Sequence, residues 1–250
     1  MVSKTDFLAA TKRAVRNVIK HGDTDIFPFS FETHGFFDKY DEYCNLVVKY
    51  NEEFYTYIVD YPPDNVSSLY PVTHSGFRWA TQIDPIWNVH FLSCVLSLAS
   101  KIEPVRVPVT DNVVFSYRFN PDDETGDLFN KNVGWVQFMQ HSSRISEDQE
   151  FVVSCDISEF YSRLGHHRLE NALKQIAGDT EYPAKIMKFL SNFSSTNSFG
   201  LPVGGPAARI LSELTINQID RLLISGGLRL LGLRTIIICS LNREMRLIDN

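Results

Sequence analysis

Apolar positions recur with a helical period along several stretches of the chain, and these stretches predict its helices. Residues 4–21 (KTDFLAATKRAVRNVIKH) place apolar side chains on one face and are followed by Gly22, which is typical of an amphipathic helix. Residues 85–100 (PIWNVHFLSCVLSLAS) are apolar on almost every side, so we expect a buried helix there. Three more helices are predicted after residue 165, in HHRLENALKQIAG, YPAKIMKFLSNF and ARILSELTINQIDRLLIS.

A different pattern, rich in β-branched and aromatic residues, predicts the strands. CNLVVKY and EEFYTYIVDY are predicted to pair as two strands joined by Asn51 and Glu52. NVVFSYRF (112–119) and FVVSCD (151–156) are further strand candidates, whereas residues 62–76 have the Pro, Gly and Ser content of a loop. The aromatic stretch DIFPFSFETHGFFDKY predicts a packed irregular segment. Because strands and helices interleave irregularly, the sequence predicts an α+β fold and not a regular βαβ winding.

The composition is that of an ordinary soluble globular protein. The 250 residues are 44% hydrophobic and 22% charged, and this length is ample for a core. The cysteines form no CxxC pair, which argues against a zinc site and a disulfide framework; they are Cys44, Cys94, Cys155 and Cys239. The start of the chain does not resemble a signal peptide, and no run reaches the ~18 apolar residues of a membrane span. We therefore expect a cytoplasmic protein with no membrane partner.

Charge gives little support for nucleic acid as a partner. The net charge is −6, although such a sum can hide a local basic cluster. The first predicted helix carries one basic stripe, which we interpret as a solvated helix face and not as a phosphate contact. Its members are Lys12, Arg13, Arg16 and Lys20.

Candidate chemistry begins at Asp156, which ends the predicted strand FVVSCD. A carboxylate at this place needs a cation, a metal ion or open water, because burying it unpaired costs several kcal/mol. Taken alone, a helix N-cap or a turn residue is the more common interpretation.

A second segment, GLPVGGPAARILSEL, is a tight loop that runs directly into a helix. Gly200, Gly204 and Gly205 remove side chains where something flat must approach the main chain. Pro206 suits the first position of the helix. With this loop present, a functional role for Asp156 is favoured over that of a cap or turn residue, because the two segments form an ordered pair of motifs.

DISEFY (156–161) followed by GLPVGGP (200–206) resembles the palm of a reverse transcriptase. VFSYRF (114–119) resembles the fingers strand of the bacterial reverse transcriptases linked to abortive phage infection, and ARILSEL also resembles that branch. The likeness covers roughly residues 75–225. It implies a right-hand polymerase architecture of fingers and palm, with an antiparallel palm sheet packed on helices and the thumb missing.

The resemblance also implies a division of the chain into regions. Residues 1–70 would be an N-terminal helix with a fingers-associated region, and residues 71–227 would be the fingers and palm. Residues 228–250 have no counterpart in the family.

The activity implied by the resemblance is RNA-directed DNA polymerisation with two Mg²⁺ ions. Asp156 would bridge both ions, and the carbonyl of Ile157 would supply another oxygen ligand. Tyr161 would stack under the incoming sugar and exclude a ribose 2′-hydroxyl, although an aromatic plug of the core is its alternative role. Phe160 points to the other side of the chain and is expected in the core. The implied partners are a primer–template nucleic acid and deoxynucleotides, and a homo-oligomer stays open.

Further nucleotide contacts are implied in the loop and on the fingers strand. Pro202, Gly204 and Gly205 would line the pocket for the template base and the nucleotide, with a plain helix-entry turn as the alternative. Arg118 would grip the triphosphate, because a guanidinium forks two phosphate oxygens. A surface arginine paired with a nearby aspartate is the equal alternative.

The same segments depart from the family pattern at some positions. Val203 stands where a glutamine is usual, and Ala208 stands where a serine is frequent, which puts the template contact in doubt. His166 and His167 resemble a histidine that follows the first motif. Without cysteine or carboxylate neighbours at metal spacing, we interpret them as packing or solvated residues.

The second metal motif of the family, aromatic-x-Asp-Asp, is missing. The expected region reads SGGLRLLGLRTIIICSLNREMRLIDN and has no Asp pair, and Asp249 comes too late in the chain. A one-base shift of the codons for GLRTIIICSL (232–241) can encode Arg-Phe-Ala-Asp-Asp-Tyr-Tyr-Met-Phe-Val, so we hypothesise a frameshift near codons 226–231. A true apolar strand of a short, diverged protein is the alternative. If the frame slipped, residues from about Leu228 onward should lack regular packing and leave an apolar face exposed elsewhere.

The sequence therefore predicts a phage-defence type of reverse-transcriptase-like nucleotidyltransferase, truncated and with little or no activity. The rival hypothesis is a non-catalytic nucleic-acid-binding or oligomeric defence protein that uses the palm as a scaffold. A third reading is a small α+β enzyme in which Asp156 is only a cap.

Overall fold

The fold is mixed α+β, as predicted, and is dominated by helices. The computed structural model describes residues 4–24, 31–71, 74, 76–147, 149, 151–193, 198–226, 229–233 and 236–241. The helices in this part of the chain are α1 (Lys4–His21), α2 (Glu32–Asp38), α3 (Tyr40–Glu52), α4 (Phe54–Asp60), α5 (Pro85–Ile102), α6 (Trp135–Ser146), α7 (His166–Ala177), α8 (Tyr182–Phe193) and α9 (Pro206–Ser225). The strands are β1 (Asn65–Pro71), β2 (Phe77–Ile83), β3 (Phe151–Asp156), β4 (Arg229–Leu233) and β5 (Ile236–Leu241).

Helix α5 is the centre of the core. Its side chains are buried along almost the whole length, and α1, α3, α7, α8 and α9 all contact it. Asp84 caps its N-terminus by accepting hydrogen bonds from the backbone N–H groups of Ile86 and Trp87, and Pro85 occupies the first turn. The prediction of a fully buried helix is confirmed, because a helix without a polar face can only be stable inside the protein.

Two antiparallel sheets lie at the edges of this helical body. Strands β1 and β2 form an isolated ribbon, whose register runs from Asn65 opposite Ile83 to Pro71 opposite Phe77. The second sheet has the strand order β3-β5-β4. In its register, Asp156 lies opposite Ile236, the first residue of β5.

The predicted strand pair after Cys44 is wrong, because both segments are helices, α3 and α4. Cys44, Val47 and Val48 are buried on one face of α3, and Phe54 and Ile58 are buried on α4. These positions are three and four residues apart, which is the helical spacing. The β-prone Val and Tyr residues were thus outweighed by the packing of α3 against α1 and α5 and by that of Phe54 of α4 against Trp87 and His90 of α5.

Other local predictions also need correction. The segment NVVFSYRF forms no strand and has only isolated bridges, such as that between Phe119 and Phe129. The predicted loop at 62–76 contains β1, and the predicted irregular segment contains α2, while residues 25–30 lie outside the described part.

The basic stripe of α1 is not a free solvated face, because it holds the acidic loop 120–127. Arg13 forms a two-pronged ion pair with Asp123, and Lys20 and His21 both contact Asp127 at 2.8 Å. Hydrogen bonds from lysines 131 and 20 keep the pKa of Asp127 well below its usual range. The positive charges of α1 are thus largely compensated by the chain's own carboxylates.

The tail after Leu228 contains regular structure where it is described. The backbones of β4 and β5 pair with each other and with β3, so the expectation that these stretches lack regular packing is not met. Residues 227–228, 234–235 and 242–250, including Asp249, lie outside the described residues. An exposed apolar surface is present nearby, since Val152 and Val153 of β3 are 48% and 43% exposed.

None of the helices in the described ranges is long and apolar enough to cross a bilayer.

Candidate active site

Asp156 stands at the end of an edge strand with its carboxylate open to water. It is the last residue of β3, and its side chain is exposed. Within the described residues its carboxylate has no hydrogen bond and no ion pair, so neither a lysine nor an arginine neutralises it. The sequence leaves a cation, a metal ion and open water as possible partners of this carboxylate, and no cationic side chain among the described residues contacts it.

The segment after Asp156 folds back onto the glycine-rich loop and joins the two motifs. The backbone N–H of Leu201 donates to the carbonyl of Tyr161 at 2.9 Å, and that of Gly200 donates to Leu164 at 2.8 Å. Gly165 and Phe199 form an isolated antiparallel bridge next to them. The two motifs, which lie about forty residues apart in the sequence, are therefore neighbours linked by backbone hydrogen bonds.

Tyr161 begins a short 3₁₀ turn, Tyr161–Arg163, and directs its ring into the protein body. Burial raises the pKa of its phenol well above the usual range, and the neighbouring Tyr117 acts in the same direction, while a hydrogen bond with Ser212 opposes them. Phe160 is 7% exposed, which confirms its predicted place in the core. The role of Tyr161 against the sugar stays a prediction, because the ring is partly committed to internal packing.

Of the two adjacent glycines of the loop, Gly204 is required by a contact inside the chain and Gly205 is not. Gly204 has φ +126, and a Cβ atom added to it would lie 2.8 Å from Cβ of Thr24. A side chain on Gly205 would approach the carbonyl of Asp23 at 3.5 Å. The loop is further tied to β2 by a hydrogen bond from Thr81 N–H to the Val203 carbonyl at 3.0 Å. Backbone conformation and close packing on Thr24 therefore account for Gly204, whereas Gly205 has room for a side chain, and the predicted contact of both glycines with a nucleotide stays untested.

A small cavity of about 10 Å³ lies behind this loop. It is lined by Pro202 and Gly205 from the loop, Thr81 and Ile83 from β2, and Asn88 from α5, together with Asp23, Thr24, Phe91, Ala207 and Ala208. Such a volume is about that needed for one water molecule. A nucleotide at the predicted contacts would have to lie on the outer side of the loop.

Arg118 is not presented to solvent, which corrects its predicted grip on a triphosphate. It is 2% exposed, and its guanidinium donates to Glu103 at 3.0 Å and to the carbonyls of Val114 and Val107 at 3.0 and 2.7 Å. The partner is a glutamate inside the body, so the alternative of a surface pair with an aspartate is wrong as well. Arg118 holds the irregular segment 107–118 in place.

Arg118 belongs to a buried ion network of Glu103, Arg106, Arg118 and Glu213. Arg106 forms ion pairs with Glu103 and with Glu213 of α9, and it also donates to the carbonyls of Ser116 and Tyr117. Asn217 reinforces the same junction by accepting from Val107 N–H at 3.1 Å and donating to Val105 at 2.9 Å. The network fixes α9, the helix that follows the glycine-rich loop, to the segment between α5 and α6.

Asp220 lies one step further along α9 and has no compensating partner in this network. It is 5% exposed, and no hydrogen bond to its carboxylate exists among the described residues. Burial and the nearby Glu213 raise its pKa to about 7, although Arg106 and Arg118 oppose them. The two arginines of the network already balance the charge of its two glutamates, so an ionised Asp220 would add an uncompensated negative charge.

We expect the Asp220→Asn variant to be more stable than the parent chain above pH 7. A carboxyl group whose pKa is higher in the folded state favours folding while it is protonated. Its contribution is thus complete below pH ~4 and is lost as the pH rises to about 7. The gain from asparagine at pH 8 should be about 2–4 kcal/mol and should shrink towards pH 4. Urea unfolding at both pH values measures it, with the exposed Asp179→Asn as control; equal stability of variant and parent at pH 8 would contradict the expectation.

The histidines behave as predicted. His166 is buried, and its Nε2 lies 2.7 Å from the carbonyl of Gly200, which ties the start of α7 to the loop. His167 is exposed and contacts Asn171 on the same helix. Both therefore have packing or surface roles.

The described residues do not fit a pair of Mg²⁺ ions. They include no group of three or more His, Cys, Asp or Glu residues that could hold a metal ion. The sequence from Gly226 to Leu241 contains no Asp or Glu, so the β4–β5 hairpin beside Asp156 offers no carboxylate. One carboxylate and the carbonyl of Ile157 are too few protein oxygens for two divalent ions.

Neither the buried ion network nor the residues against which the glycine-rich loop packs could be predicted from the sequence. Glu213 was detectable in principle, because it falls on the inward face of α9 between Leu211 and Leu214. Its partner Arg106 comes from a distant irregular segment, and no local pattern announces such a pair. Asp23 and Thr24 follow α1 as an ordinary turn, so the close approach of Thr24 to Gly204 depends on the tertiary structure.

No protein-family model matches the chain, and no curated protein gives a significant match to it.

Proposed function

We propose that the chain is built on the fingers and palm of a reverse-transcriptase-like nucleotidyltransferase of the abortive-infection type. Its metal site is incomplete, so this sequence as it stands has little or no nucleotide-adding activity. Phage defence is the setting that the resemblance suggests. The architecture, the activity and the setting are all parts of this proposal.

One observation carries it: Asp156 lies opposite Ile236, the first residue of β5, in the part of the chain where the resemblance expects the second metal motif. Strands β4 and β5 follow the glycine-rich loop by about thirty residues, pair with β3, and bring Ile236 opposite Asp156. The hypothetical shifted frame has its two Asp codons at positions 235 and 236. A shift would therefore put the missing carboxylates beside the one that remains.

The hydrogen bonds between the two motifs are a second support. The residues after Asp156 and the glycine-rich loop contact each other through the backbone, and α9 is held behind them by the buried ion network. These contacts do not involve a metal ion, so they can hold the segment after Asp156 in place without one. The chain's own residues thus supply the scaffold and one carboxylate, and the tip of the hairpin lacks the others.

The nucleotide sequence and an incorporation assay test the proposal. We expect the bases after codon 226 to encode Asp-Asp in a shifted frame, and we expect the frame-corrected protein to incorporate labelled deoxynucleotides on a primer–template with Mg²⁺. The Asp156→Asn substitution in that protein should reduce incorporation at least 100-fold, because the remaining ligands cannot replace a bridging carboxylate. The chain as given is the matched control and should show no incorporation above background.

Two results would contradict the proposal. One is a shifted frame without the Asp pair, and the other is a folded, frame-corrected protein whose activity is absent or unaffected by Asp156→Asn. Nucleic-acid binding without incorporation by the corrected protein would favour the scaffold hypothesis.

A further inference from the structure

Strand β1 forms an open edge of the β1–β2 ribbon. All the residues of this strand, Asn65–Pro71, are exposed, and in its sheet it pairs only with β2. The register with β2 runs without interruption, so no bulge distorts the strand. Such an edge is a template for another strand, because one row of its backbone N–H and C=O groups has no partner in the sheet.

The hydrogen bond from Thr81 N–H to the Val203 carbonyl shows which groups of β1 point outwards. Because this N–H points away from β1, Thr81 and Ser67, which lie opposite each other, form a non-hydrogen-bonded pair. The two kinds of pair alternate along an antiparallel ladder, so Leu69 and Trp79 form another non-hydrogen-bonded pair. The N–H and C=O groups of Ser67 and Leu69 therefore face the open edge, and no backbone group in the described part of the chain bonds to them.

The outer edge of β2 is less suitable for a further strand. The glycine-rich loop already occupies it, since Val203 accepts the hydrogen bond from Thr81. Ala80 and Ile83 of β2 are also buried by the protein body. A strand as long as the ribbon therefore cannot pair along the whole of β2, whereas the full length of β1 is open to it.

The sequence of β1 carries little that would prevent pairing with another strand. It reads NVSSLYP, which contains no charged residue and has a proline only at its end. Natural edge strands commonly carry lysine, an inward-pointing charge or a bulge that blocks such pairing. Since each copy of the chain has a net charge of −6, an uncharged strand is a place where two copies can approach with little repulsion.

We propose that β1 pairs with β1 of a second copy of this chain, antiparallel about a two-fold axis at Ser68, and so forms a four-stranded sheet. This register overlaps the two strands along their whole length and places Ser67 opposite Leu69 of the second copy. Both residues direct their backbone groups outwards, so each of the two symmetry-related pairs forms two hydrogen bonds. An axis at Ser67 or at Leu69 would shorten the overlap, and an axis at Leu69 would also pair Ser67 with Pro71, which has no N–H.

The same register gives the side chains of β1 complementary neighbours. Val66 lies opposite Tyr70 of the second copy, and pairs of a β-branched and an aromatic residue stabilise antiparallel strands. Val66 also lines an open pocket of about 310 Å³ at the base of the ribbon, together with Gln82 and Asp84. The pairing therefore brings Tyr70 of each copy to the pocket of the other.

The surface that β1 offers is large enough for a weak dimer. Val66, Leu69 and Tyr70 are 61%, 51% and 44% exposed. With the backbone of the strand they present about 500 Å² on each copy, so the dimer would bury about 1,000 Å² in total, which is the lower limit for a specific interface. A two-stranded ribbon is marginally stable by itself, whereas four strands stabilise each other. We therefore expect a dissociation constant in the micromolar range.

A disulfide across the two-fold axis tests the register directly. Ser68 would face Ser68 of the second copy in a non-hydrogen-bonded pair with Cα atoms about 4.5 Å apart, a distance that a disulfide spans. In a Cys155→Ser background, we expect Ser68→Cys to form a cross-linked dimer when copper phenanthroline and air oxidise the thiols. Asn65→Cys is the matched control, because its two copies would lie about 20 Å apart along the strands and should cross-link at least about 10-fold more slowly. The background without an added cysteine gives the blank.

Sedimentation velocity in EDTA measures the strength of the dimer. Ser67→Pro removes an outward N–H and leaves the hydrogen bonds to β2 intact, so it should raise the dissociation constant at least about 10-fold. Ser67→Ala is the matched control, because it keeps the N–H and should leave the constant unchanged. Tyr70→Ala should also weaken the dimer, whereas Tyr55→Ala, which changes a similarly exposed tyrosine on α4, should not. Circular dichroism verifies that each variant is folded.

Three outcomes would overturn the inference: a parent chain that stays monomeric up to about 100 µM, equal dissociation constants for Ser67→Pro and Ser67→Ala, or equal cross-linking of Ser68→Cys and Asn65→Cys. The first of these would leave the edge of β1 to a strand of another protein. Because neither assay contains a nucleotide or a magnesium ion, failure of the proposed polymerase activity leaves this result unaffected.

Discussion

Replacing Glu213 with alanine is expected to lower the free energy of unfolding by about 3–5 kcal/mol. Glu213 is 2% exposed and forms an ion pair with Arg106, which is itself 4% exposed. Its removal leaves two buried arginines, Arg106 and Arg118, facing Glu103 alone in a site of low polarity, and the cost of this uncompensated charge exceeds the strength of the pair itself. Burial raises the pKa of Glu213 while Arg106 opposes it, so the carboxylate is held by its partner and not by solvent.

The control for this prediction is an exposed ion pair within a single helix. Glu170 and Lys174 form a pair on α7, with their side chains 36% and 64% exposed. Glu170→Ala should cost no more than about 0.5 kcal/mol. Chemical unfolding at pH 7 measures both variants, and a Glu213→Ala loss as small as that of Glu170→Ala would mean that the network contributes little to the attachment of α9.

Helices with a strong periodic pattern were predictable from the sequence, and weakly patterned segments were not. The length and uninterrupted apolar character of its sequence predict helix α5, and Pro206 marks the start of α9. Helices α3 and α4 were mistaken for strands because, over short windows, the spacing of their Val, Tyr and Phe residues fits both the helical period of 3.6 and the strand period of 2. Packing against α1 and α5 decides between the two, and that information is absent from a local window.

The candidate site shows the same division. Asp156 could be placed at a strand end from its local pattern, whereas the contact between the segment that follows it and the glycine-rich loop was implied only by the family resemblance. The burial of Arg118 could not be predicted, because an arginine in a short segment is normally expected at the surface. Its burial depends on Glu103, whose side chain reaches it only after the chain turns at the end of α5.

The register of the second sheet links the site to the hairpin that follows it. A slip of one residue would move every side chain of β5 to the other face, so the identity of the residue opposite Asp156 has chemical meaning. That residue is Ile236, and its neighbour Ile237 lies opposite Cys155. Placing an aspartate at one or the other of these positions therefore distinguishes a metal site formed with Asp156 from a general effect of the added charge.

The Ile236→Asp variant is expected to acquire a divalent-cation site between β3 and β5. Residues directly opposite in an antiparallel pair have Cα atoms about 4.5–5.5 Å apart, so the new carboxylate and that of Asp156 would share one face at close range. Two carboxylates repel each other without a cation, and Mn²⁺ or Mg²⁺ relieves the repulsion by accepting oxygens from both. The variant should be less stable than the parent in EDTA and should recover stability when the metal is added.

Thermal unfolding with and without MnCl₂ measures this effect. At a metal concentration ten times the dissociation constant, binding stabilises the folded state by about 1.4 kcal/mol, which corresponds to a rise in melting temperature of about 3–6 °C for a chain of this size. Ile237→Asp is the matched control, because it adds the same charge on the other face, beside Cys155. Asp156→Asn in the Ile236→Asp background should abolish the rise. An equal rise for Ile237→Asp, or one that survives Asp156→Asn, would show that the metal does not bridge β3 and β5, and the proposed position of the second metal motif beside Asp156 would then be wrong.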